Sequence, residues 1–192
     1  MSFTILRGAL TPLHVATIKQ TIYGFPFDNS KRGTVKFEPG LVEFCISRLI
    51  DRAFTERLGP WKILADNKQS IIMTAGSYLR GTTWHQECDT IPHNAVICWV
   101  SLDDGAGSFR PGLSFLEGDF TGPVDELLRD HLEEAGVKEN FIKENGYQVV
   151  TPILDAGDAV FISPFTPHKT YVRDDMIETR LALKLTAIPC EA

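Results

Sequence analysis

In the stretch Thr83-Trp84-His85-Gln86-Glu87-Cys88-Asp89, an imidazole and a carboxylate stand two residues apart. On a β-strand, residues i and i+2 point to the same face, so His85 and Glu87 would project together into one cavity. A second histidine, His168, lies far downstream in a proline-flanked turn. Two histidines and one carboxylate on one face of a metal, with its other positions open, suit non-haem Fe(II) that activates oxygen. Asp89 competes as the carboxylate, because it shares the face of His85 if the strand runs on. Adjacency to His85 favours Glu87 and leaves Asp89 to a supporting or substrate contact. Cys88 alternates to the other face and reads as a small buried residue.

Arg180 is the next residue with chemistry to offer. It sits in a strand over 178–188 that is otherwise alternating and apolar. A guanidinium directed inward from such a strand needs an anionic partner, because an unpaired buried charge is costly. Arginine meets a carboxylate with a two-pronged hydrogen bond. A histidine and then an arginine on neighbouring strands could therefore bind a metal and hold the far end of a metal-chelating dicarboxylate. The competing reading of Arg180 is a surface pair with Glu178 or Asp174. Arg80, His93, Arg110 and Lys169 could face an acidic substrate but read as solvated charges, and His14 and His131 fit no pattern. Trp99 and Tyr78 read first as core aromatics.

These residues need a scaffold. At 192 residues the chain can bury a substantial core as one domain, 1–192. Thr11-Pro12 starts a helix that Gly24 can stop. The segment 25–38 carries Pro, Asp-Asn-Ser and Gly and reads as an irregular loop. A stronger helix is expected over 39–58, where apolar residues recur at three- and four-residue spacing. The first sixty residues thus read as helical support. From Trp61 onward, short strands are expected near 61–65, 69–78, 82–88, 94–102, 112–117, 147–154, 158–163, 167–173 and 178–188. An amphipathic helix over 123–134 and a further helical turn or two over 136–145 interrupt them. Helices first and many short strands after predict a mainly β sandwich or barrel with helices on one side.

Composition excludes several classes. The net charge of −6, with acidic residues scattered, argues against nucleic-acid and anionic-membrane partners. No apolar run reaches membrane-spanning length, and the first residues lack the basic and apolar regions of a signal peptide. Four cysteines without a CxxC pair point to a reduced, cytoplasmic chain.

Taken in order, the motifs resemble the phytanoyl-CoA hydroxylase-like branch of the Fe(II)/2-oxoglutarate-dependent dioxygenases. The Trp-His-Gln-acid run is Trp84-His85-Gln86-Glu87, and the strand ending in Leu-Asp-Asp runs from Val96 to Leu102-Asp103-Asp104. Gly112-Leu113-Ser114-Phe115 follows, and Asp158, His168 and Arg180 close the pattern, so about half the chain is covered. The resemblance implies a double-stranded β-helix (a jelly-roll, cupin-like barrel) with the N-terminal helices packed on one sheet. It implies Fe(II) held by His85, Glu87 and His168, and 2-oxoglutarate held by Arg180 and Thr170 with Trp99 as a wall. O2 would be the second co-substrate, and a C–H bond would be hydroxylated as succinate and CO2 are released. The substrate would be a small molecule or a carrier-tethered group.

Three departures accompany the resemblance. Glu87 stands where most relatives carry Asp, Leu116-Glu117-Gly118-Asp119 replaces a Pro-Gly-Ser-His turn, and the chain is shorter at its N-terminal side. The alternatives are a non-catalytic barrel kept as a binding module and a cupin-like metalloprotein using another metal.

Overall fold

Alternation along three strands accounts for most of the architecture. In the computed structural model, which describes residues 3–22, 33–36, 45–64, 70–74, 82–128 and 135–190, these are β5 (Val96–Ser101), β8 (Ala159–Ile162) and β10 (Arg180–Pro189). Cys98, Val100, Phe161, Leu181, Leu183 and Leu185 point to one side, where they meet helix residues. Ile97, Trp99, Val160, Ile162 and Ala182 point to the other, where they meet Leu113 and Phe115 of β6 (Gly112–Leu116). Strands buried on both faces read as near-continuous apolar runs, which is why their sequence pattern was strong.

The large sheet has the order β1-β8-β5-β10-β4-β2, with β3 also on β10. Its remaining strands are β1 (Phe3–Leu6), β2 (Gly33–Lys36), β3 (Trp61–Ile63) and β4 (Ser70–Thr74). The small sheet has the order β7-β6-β9, with β7 at Val149–Val150 and β9 at His168–Tyr171. All of these pairings are antiparallel. Two antiparallel sheets sharing an interior core make the expected jelly-roll, a double-stranded β-helix. Helices α1 (Pro12–Ile22) and α2 (Arg48–Leu58) set Val15, Ile18, Ile50 and Phe54 on the outer face of the large sheet.

Several expected elements differ. The N-terminal stretch is not helical support alone. β1 pairs with β8, and β2 pairs with β4 inside the segment read as an irregular loop. Both strands are four residues long, and such short runs gain their stability from the sheet edge they cover. Of the helix expected over 39–58, the stretch Arg48–Leu58 is helical. Ser47 caps it, accepting from the N–H of Ile50, and residues 45–47 are not helical. The expected positions 39–44 lie outside the described residues. Where a helix is expected over 123–134, the described residues 123–128 form one 3-10 turn, Asp125–Leu127, and 129–134 lie outside the described residues. Gln86 is the reason, since its N–H donates to the Leu127 carbonyl and its Oε1 accepts from the N–H of Val124. The next segment forms a full helix, α3 (Ala135–Glu144).

The Asp-containing motifs serve the scaffold. Asp158 accepts from the N–H groups of Gly8 and Asp155 and pairs with Arg7. Burial alone would push its carboxyl up, but those donors hold it below the usual carboxylate range. Gly157, at φ +93°, leaves no room for a side chain, because a Cβ there would sit 2.3 Å from the Leu10 carbonyl oxygen. Asp103 accepts from the N–H of Leu181 and pairs with Lys19, which fixes where β10 begins. No helix among the described residues is long and apolar enough to cross a membrane.

Candidate metal centre

His85 does not lie in a regular strand. It forms an isolated bridge with His168, in which each N–H donates to the other's carbonyl at 3.0 Å. That bridge extends the small sheet by one residue and sets the two rings side by side, centroids 4.3 Å apart. The chain then turns away. The Glu87 N–H donates to the Pro164 carbonyl, and the N–H groups of Thr90 and Ile91 both close onto the Glu87 carbonyl. The expected strand over 82–88 is therefore this bridge followed by a turn. Glu87 still faces the cavity, whereas Asp89 falls in the turn and is exposed. The turn separates the two carboxylates, because the strand does not run on to bring Asp89 to the face of His85. Cys88 is buried, as its position implied.

Among the described residues, His85, Glu87 and His168 form the one group of three with the geometry to hold a metal ion, their donor atoms within 4.8 Å of one another. The hydrogen bonds of the rings fit that use. His85 Nδ1 lies 2.8 Å from the Thr83 carbonyl oxygen, and His168 Nδ1 lies 2.9 Å from that of Thr166. A carbonyl only accepts, so each Nδ1 carries a proton, which leaves Nε2 as the ring nitrogen a metal would take. His168 Nε2 is 3.7 Å from Glu87 Oε1.

Glu87 has a neighbour that the motif reading missed. Lys184, on β10, donates to both of its carboxylate oxygens. Burial would raise the Glu87 carboxyl, but Lys184 and then the two histidines outweigh it and hold the group far below its usual range.

Arg180 is fully buried at the start of β10. Its Nη1 donates to the Gly112 carbonyl at 2.8 Å, and its guanidinium lies 4.8 Å from the centroid of the Trp99 ring. The surface pair with Glu178 does not form, because Glu178 pairs with Arg110. Thr170 shares the cavity, with its hydroxyl 3.0 Å from that of Thr82. Ile97, Trp99, Leu113 and Ile162 give the same cavity an apolar wall. Together these residues line a small, partly open cavity. The other charges near the motifs are engaged elsewhere. Lys169 pairs with Glu139, and His93 contacts the Cys88 carbonyl and the Phe165 ring. Arg80 and Tyr78 lie outside the described residues.

Lys184 was legible in one respect. Arg180, Ala182 and Lys184 alternate onto the inner face of β10, so the period that placed the arginine also places the lysine.

The fold is a jelly-roll shared with solved non-haem iron, 2-oxoglutarate-dependent enzymes. Solved structures similar to this chain include the α-ketoglutarate-dependent carbocyclase SnoK from nogalamycin biosynthesis. Its TM-score is 0.71 at 13% identity, over 98% of this chain and 79% of that one. HygX from Streptomyces hygroscopicus, with nickel and 2-oxoglutarate bound, gives 0.71 at 14% identity over 98% and 83%. EvdO2 from Micromonospora carbonacea var. aurantiaca, complexed with 2-oxoglutarate, gives 0.66 at 18% over 100% and 87%. At these identities the likeness establishes the fold. No family model matches the sequence, and no curated protein matches it.

Proposed function

We propose that the protein is an Fe(II)- and 2-oxoglutarate-dependent oxygenase of the phytanoyl-CoA hydroxylase-like kind. One observation carries the reading. Two histidines with Nδ1 turned to backbone carbonyls and one ionised carboxylate converge in a cavity whose far wall holds a buried arginine. His85, Glu87 and His168 would hold the iron. Iron held there would, with 2-oxoglutarate and O2, supply the oxidising chemistry for hydroxylating a substrate C–H bond with release of succinate and CO2.

This chain's own residues orient and shield that chemistry. Arg180 offers a guanidinium to the far carboxylate of 2-oxoglutarate, with Trp99 fixing its plane and Thr170 beside it. The apolar wall keeps water from the reacting atoms. The Thr83 and Thr166 carbonyls hold both imidazoles in the tautomer a metal needs.

HygX has also been solved with hygromycin B bound, and SnoN from nogalamycin biosynthesis with nogalamycin RO. By that analogy we assign a small-molecule substrate, free or tethered to a carrier. The four cysteines are free, which fits a reducing, cytoplasmic setting. The helices of the first sixty residues cover the sheet that carries Arg180, so we treat 1–192 as one functional domain. A non-catalytic barrel is the second reading, and the Lys184 ammonium on Glu87 is the observation that favours it.

Turnover separates the two. Protein loaded anaerobically with Fe(II) and then given 2-oxoglutarate and O2 should release succinate in proportion to its iron. Succinate no higher than in a metal-free blank would exclude the oxygenase.

A further inference from the structure

One ion pair in the cavity lies outside the resemblance. Lys184 and Glu87 are 97 positions apart, and sheet closure brings them together with both side chains largely buried, 16% and 13% exposed. The ammonium engages both carboxylate oxygens. One of them, Oε1, is also the oxygen that faces His168 Nε2 at 3.7 Å. The oxygen a metal would share with His168 is thus already held by a cation.

Resting on the metal reading above, we propose that Lys184 is a resident counter-cation of Glu87 that a divalent metal must displace, so that Lys184 sets how tightly the site holds metal. The backbone of Lys184 cannot retreat to make room. It is paired with Trp99 of β5 on one side and Ser70 of β4 on the other, in the middle of the large sheet. Only its side-chain torsions can carry the ammonium away. Two cations on one carboxylate repel strongly in a cavity partly closed to water, where charges interact far more than in bulk solvent. The metal-free protein is in turn stabilised by the pair, because Glu87 without its lysine would be a buried, uncompensated charge. The opposite role, in which Lys184 braces Glu87 to receive the metal, predicts an effect of opposite sign on metal affinity.

The test is a titration of the full chain with Mn²⁺, with the free ion read by its electron paramagnetic resonance signal. Wild type, Lys184→Met, Lys184→Gln and Lys184→Arg are compared. The two neutral variants should bind Mn²⁺ at least about tenfold more tightly than wild type, as expected when a like charge is removed from beside the ion. Lys184→Arg, which keeps the charge, should stay near wild type. Melting each protein with and without Mn²⁺ gives a second readout, and the neutral variants should show the larger rise in Tm. Binding by the neutral variants alone would also support the proposal and would mean that the lysine has taken the metal's place in the wild type. Equal or weaker binding by both neutral variants, with wild type binding normally, overturns the proposal and leaves the metal site standing. No binding by any of the four overturns the metal reading and this proposal with it.

Discussion

His168→Ala should abolish metal binding while leaving the fold in place. His168 is buried at the start of β9, exchanges two backbone hydrogen bonds with His85, and turns its Nδ1 to the Thr166 carbonyl. Alanine keeps the backbone pairing and removes one of three donors. Groups that merely orient a ligand typically carry about 10–100-fold of metal affinity, so loss of a donor should exceed that. The iron content of anaerobically reconstituted protein measures it. Asp89→Ala is the control and should bind iron like wild type, because Asp89 is exposed in the turn beyond the site. Iron content near wild type in His168→Ala, or its loss in Asp89→Ala, would mean that the ligands are wrongly assigned.

Arg180→Ala should damage the co-substrate rather than the metal. The guanidinium is fully buried, oriented by the Gly112 carbonyl and the Trp99 ring, and is not among the three donors. Losing a charge-assisted contact to a buried carboxylate costs about 2–5 kcal/mol, on the order of 30-fold or more in 2-oxoglutarate affinity. Arg180→Lys should recover only part of it, since an ammonium keeps the charge but lacks the planar fork. The midpoint of an anaerobic 2-oxoglutarate titration against iron-loaded protein reports the effect. An unchanged midpoint in Arg180→Ala would remove Arg180 from the site.

How far the sequence could be read depended on the range of the forces involved. The strands carrying Cys98, Val100, Leu183 and their neighbours are apolar on both faces, so local pattern sufficed. His85 and His168 stood out by motif, and the cavity brings them together. Glu87 was assigned by alternation along a strand that is in fact a single bridge. Glu87 still faces the cavity because the turn begins just after it, and that same turn carries Asp89 away. What local pattern missed depends on distant partners. The start of the helix expected over 123–134 yields to the Gln86 side chain, 38 positions before Val124. β1 and β2 are too short to announce themselves without β8 and β4. Lys184 alternates inward with Arg180, but a lysine in a strand is ordinarily solvated, and its carboxylate partner is fixed only when the barrel closes.

The most direct test of the account is spectroscopic and needs no substrate. Under strict exclusion of O2, wild-type protein is loaded with Fe(II) and then given 2-oxoglutarate. A visible charge-transfer band should grow to saturation at one equivalent per iron, as the keto acid chelates a metal held by His85, Glu87 and His168. Protein that binds Fe(II) at this site but develops no such band on adding 2-oxoglutarate would contradict the account.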